Sequence, residues 1–316
     1  MKQAKPGSGL KIKQMRTTLW DDFKLYVLNS GNVLNKLLAI NIGVFILFGI
    51  IWMLDHLFVT NLNLEDTIKA LYVSFPSSPI AFLQRPWSIV TYQFVHQSFS
   101  NGGISHILYN MIVLFIAGRI FREFLGDKKL LSVYLLVGAA GAGMFMLAMN
   151  IFPLFSAYNP YIIGASASAL AVLAAAATLV PNYTLFLIII GPVRLIYIML
   201  FFFVIDLLSL ASGNAGGHFA HLGGAAFGFV YIKALQNGTD LGAWLSNLTS
   251  WIQGLFKPKT NIKLNYRKPN TEKVTATKTS VTQDQVDTIL DKIAKSGYDS
   301  LSQREKDILF KASKDN

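Results

Sequence analysis

Residues 195–212 have the sequence LIYIMLFFFVIDLLSLAS, in which Asp206 is the one charged side chain. Uninterrupted runs of roughly 18 or more apolar residues are typical of membrane-spanning helices, because a helix pairs its own backbone polar groups within lipid. The strict alternation of apolar and polar residues that a transmembrane β-strand needs is absent from this run. The stretch therefore predicts an all-α membrane protein.

The composition of the whole chain supports this class. Of its 316 residues, 53% are hydrophobic and 14% are charged, and the mean hydropathy is +0.44, whereas soluble domains average about 25% charged residues. The net charge of +11 would suggest a nucleic acid partner in a soluble protein. Here Lys and Arg cluster at the two ends and in short loops, a distribution that reflects the orientation of the spans in the membrane. We therefore predict no nucleic acid partner. The chain has no cysteine, which excludes disulfides, thiolate catalysis and cysteine-bound metal.

Apolar runs of similar character recur along the chain. The predicted spans are 36–54, 104–121, 130–151, 164–180, 195–212 and 217–235. They predict a bundle of six transmembrane helices over 36–236, preceded by a basic segment over 1–35. The apolar segment 184–190 is too short to span a membrane, and we interpret it as an interfacial or partly extended lead into the fifth span.

The positions of Lys and Arg predict the orientation of the bundle. Positive residues precede the first span, follow the sixth, and occupy the connections between spans two and three and between four and five. The opposite side has only Lys69 and Arg85 in the long loop 55–103. By the positive-inside rule, both termini face the cytoplasm of what we interpret as a bacterial inner membrane. Aromatic residues in the loop 55–103 predict that it is embedded in the outer interface.

The polar C-terminal region predicts a separate unit. Residues 237–283 are interpreted as a partly disordered linker, because their second half is rich in Lys, Thr and Asn. Residues 284–316 then have apolar side chains at helical spacing and predict a small helical hairpin that turns at Ser296-Gly297-Tyr298. The hairpin contains no set of residues typical of a catalytic site, so we expect a regulatory element or one that docks a cytoplasmic partner.

Polar side chains near the outer ends of three spans are the candidate functional residues. His106, Ser166 and His221 each lie close to the start of a span that enters from the outer side, so they share a similar shallow depth. Ionisable groups within spans are costly and mark function by default. Asn110 follows His106 by four positions, which places both on one helix face. The alternative for this pair is an inter-helix hydrogen bond that stabilises the bundle.

Ser166 is the candidate nucleophile. Gly164 just before it lets a backbone approach closely, and the helix that begins here has free N–H groups for an oxyanion. Ser168 is the competing serine, but it lies about 200° further around the helix and is expected to point away.

His221 is the candidate general base, in a helix with a stripe of small residues. Ala220, Gly224 and Gly228 recur every four positions, and such stripes let helices touch backbone to backbone. Close approach to the alanine-rich fourth span would permit a serine–imidazole hydrogen bond of about 2.6–3.2 Å. The spacing leaves open that the stripe serves packing alone.

Two further ionisable residues near His221 are not assigned to catalysis. His218 lies three residues earlier and raises the question of a metal pair, but His106 would be the one obvious third ligand. We therefore predict no metal and expect His218 to face water in the outer loop. Asp206 is interpreted as extending to the outer interface. A role as the orienting third member of a triad stays open as the alternative, without support from the sequence.

Taken together, His106-Ile-Leu-Tyr-Asn110, Gly164-Ala165-Ser166 and Ala220-His221-Leu222-Gly223-Gly224 resemble the rhomboid family. That family has H-x-x-x-N in its second span, G-x-S in its fourth and A-H-x-x-G-x-x-x-G in its sixth. The resemblance implies an intramembrane serine protease that uses a Ser166–His221 dyad. His106, Asn110 and the backbone N–H of Ser166 would form the oxyanion hole. It also implies no cofactor, and transmembrane protein substrates that are cleaved near the outer face of the bilayer.

The chain departs from the family pattern at three places. Ala167 follows the nucleophile where glycine is most common, and Leu170 stands where an aromatic residue often contacts the histidine. Trp87 is followed by Ser88 in place of the arginine of the outer loop. The alternative functions are a catalytically impaired rhomboid-like protein that binds membrane clients, and a transporter or channel. Transporter sites usually lie near the midplane, which disfavours the latter.

Overall fold

The computed structural model describes residues 18–58, 62–99, 102–155, 160–256 and 282–313. Within these ranges the chain is mainly helical, in agreement with the predicted all-α class. It divides into two compact units, Met1–Lys257 and Pro258–Asn316. The helices are α1 (Leu19–Phe23), α2 (Val33–Leu57), α3 (Leu64–Ile68), α4 (Pro79–Gln84), α5 (Ser88–Thr91), α6 (Gly103–Ile151), α7 (Ser166–Leu179), α8 (Leu195–Leu208), α9 (Ala215–Gln236), α10 (Ala243–Phe256), α11 (Gln283–Ser296) and α12 (Gln303–Ala312).

Short elements connect the helices of the first unit. Two antiparallel pairs of strands are present in the described ranges, and each pair is a separate sheet. The strands are β1 (Phe75–Pro76), β2 (Tyr161–Ile162), β3 (Thr184–Leu187) and β4 (Gly191–Arg194). Single π-helical turns continue α1 and α3, at Lys24–Leu28 and Lys69–Val73. Turns of 3-10 helix occupy Tyr92–Phe94 and Pro153–Phe155, and a further one, Tyr298–Ser300, belongs to the second unit.

Two of the helices that the structure describes, α2 and α6, are long and apolar enough by themselves to cross a membrane. Helices α7 and α8 are apolar but have only 14 residues each, and α9 has 22 residues that include several glycines and two histidines. The six predicted spans therefore correspond to five helices, of which two meet the criterion of length and composition.

Helix α6 contains both the second and the third predicted span. The sequence predicts a loop between 121 and 130, but the chain is helical on both sides of Gly126. Gly126 itself has φ 77° and ψ 175°, a conformation that residues with a side chain rarely adopt. One glycine thus changes the direction of the chain, and this is why no longer loop separates the two halves of α6.

Helix α7 lies at the centre of the bundle, packed against α6, α8 and α9. Every side chain over 167–177 is buried, and most are alanine, so neighbouring backbones come close. A Cβ atom added at Gly228 would lie 2.6 Å from the carbonyl oxygen of Ala171, and one at Gly224 would lie 2.8 Å from that of Ala167. The small-residue stripe of α9 is therefore the surface on which α9 meets α7, as the spacing predicts.

The segment before α8 forms a hairpin. Strand β3 pairs with β4, and Leu187 stands opposite Gly191. Gly191 has φ 87°, which suits the turn between the strands. Ile188 and Ile189 at the tip are almost fully exposed. This confirms the predicted partly extended lead into the fifth span.

Helix α10 occupies part of the predicted linker. The chain is helical over Ala243–Phe256, in the first half of the predicted linker 237–283. Asp240 anchors the start of this region, because its carboxylate pairs with Lys129 and accepts hydrogen bonds from Tyr231 Oη at 3.2 Å and Gly242 N at 3.0 Å. These long-range contacts are invisible in local composition. The remaining linker, 257–281, lies outside the described residues.

The second unit contains α11 and α12, separated by Gly297 at φ 78°. Ile289 and Leu301 are its buried apolar side chains. Lys292 Nζ bonds Glu305 Oε1 at 2.8 Å across the two helices. The predicted hairpin turn at Ser296-Gly297-Tyr298 coincides with this break between the helices.

Candidate active site

Ser166 is the first residue of α7. The N–H groups in the first turn of a helix have no partner within that helix. In α7 the first backbone hydrogen bond of the helical type runs from Ala169 N to Ala165 O. Gly164 has φ 132°, and a Cβ atom there would lie 3.3 Å from Ser166 Oγ and 3.5 Å from His106 Cε1. Glycine therefore keeps the space in front of the serine open and allows a backbone conformation that other residues rarely adopt.

His221 lies in the second turn of α9, and its Nε2 atom is 2.7 Å from Ser166 Oγ. The two residues are 55 positions apart in the chain, so the contact depends on how closely α7 and α9 approach. The glycines of the α9 stripe permit that approach because they bring the two backbones into contact. A serine hydroxyl within hydrogen-bond reach of an imidazole is the arrangement of an activated nucleophile.

Ser168, the competing serine, makes a different contact. It is fully buried, and its Oγ atom donates to Gln93 Oε1 at 2.9 Å. The prediction that it points away from the His221 side is thereby confirmed. Its partner belongs to the outer loop, which is held against the site at a second point by a 2.9 Å bond from Gly164 N to Tyr92 O.

His106 lies in the first turn of α6 beside Gly164 and Ser166. Its Nδ1 atom accepts a hydrogen bond from Gln97 N at 3.5 Å, which leaves the ring proton on Nε2. That Nε2 atom would be 3.7 Å from a Cβ added at Gly164. His106 therefore presents an N–H donor toward the space in front of Ser166.

Asn110 lies one turn further along α6 and is 1% exposed. Its Nδ2 atom donates to the carbonyl of His106 at 2.9 Å, and an amide nitrogen carries a second proton. Within the part of the chain that the structure describes, Asn110 Oδ1 has no hydrogen-bond partner. The structure thus brings His106 together with Ser166 and places Asn110 behind His106.

Next to His106 lies a buried histidine that sequence reasoning missed. The His96 ring contacts the His106 ring edge-on at 5.5 Å between centroids, and its Nε2 atom bonds Asn41 Oδ1 at 3.0 Å. Burial, with smaller contributions from His106 and Lys69, lowers the pKa of His96 to about 3. His96 is therefore neutral at ordinary pH and adds no positive charge beside His106.

Asp206 and His218 differ from their predicted positions. Asp206 does not extend to the outer interface: it is buried, and its Oδ1 atom is 2.9 Å from His221 Nδ1 and 2.7 Å from His218 Nδ1. His218 correspondingly turns to this carboxylate and is partly buried. The cause is helix geometry, because residues three apart on α9 lie on one face, and that face meets the C-terminal half of α8.

The same three residues form the one group in the described ranges that could hold a metal ion. Their ligand atoms all lie within 4.8 Å of one another. The donor set of two imidazoles and a carboxylate suits a divalent cation such as zinc. In the present arrangement the three groups instead satisfy one another by hydrogen bonds.

Ala167 and Leu170, two of the departures from the family pattern, are both buried. The methyl group of Ala167 would lie 3.2 Å from a Cβ added at Gly141 of α6, so it points toward α6. Leu170 belongs to the main hydrophobic core. Neither side chain replaces a polar group of the site.

The outer loop uses a different arginine from the one expected beside Trp87. Arg85 donates through Nη1 to the carbonyl of Ala70, and Trp87 Nε1 donates to Tyr72 O at 2.8 Å. Both contacts hold the loop to the π-helical turn after α3. In the sequence, the position of Arg85 two residues before Trp87 is the feature that could have indicated this contact.

The residues of this site lie in a part of the chain that is similar to a known protein domain. Residues 83–237 match the family model of the rhomboid domain. The chain belongs to the rhomboid family. This is a family of intramembrane proteases, so the chain is an integral membrane protein. The matched range includes His106, Asn110, Ser166 and His221.

The C-terminal unit of this rhomboid protein has a match of its own. Residues 270–315 match a family of unknown function (DUF6576). No curated protein and no solved structure matches the chain. The identity of the rhomboid domain therefore rests on the family match together with the motifs in α6, α7 and α9.

Proposed function

We propose that this rhomboid protein is an intramembrane serine endopeptidase that cleaves transmembrane helices of membrane proteins near their outer ends. The observation that carries the proposal is the 2.7 Å contact between Ser166 Oγ and His221 Nε2. Ser166 attacks the peptide carbonyl while His221 takes its proton, and His221 then returns the proton to the leaving amine. Water hydrolyses the acyl-enzyme in a second round of the same chemistry.

The oxyanion of the tetrahedral intermediate needs hydrogen-bond donors in front of Ser166. We assign this role to the Nε2–H group of His106, the Asn110 amide and the backbone N–H of Ser166. The proximity of the His106 ring to Gly164 and the position of Ser166 in the first turn of α7 support this assignment. Removal of one such donor typically costs about 10²–10³ in rate.

The proposal includes six spans with both termini in the cytoplasm of a bacterial inner membrane. The halves of α6 on either side of Gly126 count as two spans, and α7 is the short central one. With 14 residues, α7 is about 21 Å long, less than the roughly 30 Å of a bilayer core. Its N-terminus therefore lies below the outer surface, at a depth that water and an unwound substrate segment can reach.

The decisive experiment uses the full chain purified in detergent, a transmembrane test substrate and a serine-reactive fluorophosphonate. We expect cleavage near the outer end of the substrate, together with labelling of the protein. Ser166→Ala abolishes both, and His221→Ala lowers both by several orders of magnitude. Ser168→Ala is the matched control, because this serine bonds Gln93, and the variant should keep both signals.

Two results would overturn the assignment. Labelling that survives Ser166→Ala would exclude this serine as the nucleophile. Substrate that binds to the wild-type protein without any cleavage would support the alternative of an impaired client-binding protein. A reporter fused to the C-terminus tests the orientation separately, since we expect it to be active in the cytoplasm only.

A further inference from the structure

One buried carboxylate lies behind His221, on the opposite side of the ring from Ser166. Asp206 is in the second half of α8, and His218 and His221 occupy the first two turns of α9. Asp206 is 7% exposed, and its Oδ1 atom contacts His221 Nδ1 at 2.9 Å and His218 Nδ1 at 2.7 Å. A carboxylate within a bundle is costly unless its oxygen atoms are hydrogen-bonded or its charge is paired, and the two imidazoles supply hydrogen bonds to it.

The hydrogen bonds determine which ring nitrogen of His221 carries the proton. An ionised carboxylate only accepts hydrogen bonds, so the neutral His221 ring donates to Asp206 through Nδ1–H. Its Nε2 atom then presents a lone pair to Ser166 Oγ at 2.7 Å. This is the tautomer that a general base requires, because the atom facing the serine must accept the proton.

We propose that Asp206 is a positioning residue, which holds His221 in the tautomer and orientation that activate Ser166 and stabilises the imidazolium formed during attack. The inference rests on the proposed protease function and extends it from a dyad to an arrangement of three residues. Asp206 bonds His221, and His221 in turn bonds Ser166, so Asp206 acts on the serine through His221. In serine proteases with an orienting aspartate, its loss lowers kcat by up to about 10⁴-fold.

His218 has a supporting part in this arrangement. Its Nδ1–H group donates to the same Oδ1 atom that receives the His221 bond. This second donor restrains the carboxylate without contacting Ser166. We therefore expect His218→Asn to lower kcat, but by much less than the loss of Asp206.

The first test observes the tautomer directly and needs no proteolytic activity. Nitrogen-15 spectra of histidine-labelled full-length protein in detergent distinguish a proton on Nδ1 from one on Nε2, and His221→Asn assigns the signal. We expect Nδ1–H in the wild-type protein and a loss of this preference in Asp206→Leu, which removes the acceptor at similar volume. An unchanged His221 tautomer in Asp206→Leu would overturn the inference, whether or not the protein cleaves its test substrate.

The second test measures kcat and KM for the transmembrane substrate. We expect kcat to fall by about 10²–10⁴-fold in Asp206→Leu and by at least about tenfold in Asp206→Asn, with KM nearly unchanged. Asp206→Glu restores the charge and should recover part of kcat. A kcat in Asp206→Leu within twofold of wild type would overturn the inference. So would an equal loss in the Leu, Asn and Glu variants together with lower thermal stability, because that pattern marks a structural role.

Chelation separates hydrogen bonding from metal binding by the same residues. We expect dialysis against a chelator to leave kcat unchanged and added zinc to inhibit, because a metal on His221 Nδ1 would displace the Asp206 bond. Loss of activity on chelation and its return with zinc would overturn the inference in favour of a metal centre. An inactive wild-type protein would contradict the proposed function, while the nitrogen-15 spectra would still decide the tautomer.

Discussion

Different interactions stabilise the membrane domain, which is the first unit (Met1–Lys257), and the C-terminal unit, which is the second (Pro258–Asn316). In the membrane domain, helices touch backbone to backbone at glycines, and polar side chains such as Asp206 are buried and paired. In the C-terminal unit, α11 and α12 bury few apolar side chains and depend on caps and an exposed ion pair. Single changes should therefore have large effects in the first region and small effects in the second.

The largest effect is expected at Gly228, where α9 crosses α7. A methyl group in Gly228→Ala would lie 2.6 Å from the backbone oxygen of Ala171, so one helix must move. Overpacking of this kind typically costs about 1–3 kcal/mol, and misplacement of a catalytic group by about 1 Å can cost about 10²-fold in rate. We expect such a loss of kcat and a lower unfolding temperature in detergent.

Gly143→Ala is the matched control for that prediction, since a Cβ atom at Gly143 meets nothing within 4 Å. The same substitution in the same bundle should leave activity unchanged and should not lower the unfolding temperature. If both variants behaved alike, glycine-mediated contact would not be what aligns Ser166 with His221.

The second effect is pH dependence of the membrane domain through His96. Its pKa is lowered to about 3 by burial, from an ordinary value near 6.5. Between these values the unfolded chain binds a proton that the folded chain does not, so stability falls as pH decreases from about 6.5 toward 3. We expect the unfolding temperature in detergent to decrease over this window and the decrease to be smaller in His96→Gln. His56→Gln, at an exposed histidine of α2, is the matched control for the loss of one histidine, and an equal reduction in both variants would exclude His96 as the specific cause.

The third effect lies in the C-terminal unit, at the N-cap of α12. Ser302 Oγ accepts a hydrogen bond from Glu305 N, and the Glu305 carboxylate accepts one from Ser302 N at 2.7 Å. Loss of an N-cap serine typically costs about 1 kcal/mol. In Ser302→Ala we expect hydrogen exchange of α12 to be about fivefold faster in the full chain. Proteolytic activity should not change, and a large loss would show that the unit acts on the active site.

The smallest effect is expected at the exposed pair of Lys292 and Glu305. Hydrogen bonds from Lys292 and Ser302 lower the pKa of Glu305 to about 2, from an ordinary value of 4.5. The lowered pKa means that the pair stabilises the hairpin above about pH 4.5 and that this stability is lost as pH falls toward 2. Exchange of α11 and α12 should rise in that window, and Glu305→Gln or added salt should flatten the response. A response unaffected by Glu305→Gln would exclude this pair as its cause.

Several features of the fold follow from local sequence. Apolar runs predict α2, α8 and the two halves of α6 to within a few residues, because lipid requires continuous apolar helices. Local pattern fails at Gly126, where one residue replaces a loop. It also predicts no helix at α10, whose start is held by hydrogen bonds to Asp240. In both places the reason is that short-range composition carries no information on what a segment packs against.

In the candidate site, the sequence alone determined which residue types lie near one end of the bundle. Motif spacing identified His106, Ser166 and His221, and helix periodicity excluded Ser168 from the His221 side. Only the tertiary structure decided the partner of the imidazole. Asp206 and His221 are 15 positions apart on different helices, and the angle at which α8 meets α9 determines whether that carboxylate extends to the interface or orients the base. Packing of side chains sets this angle, and no local pattern in the chain encodes it.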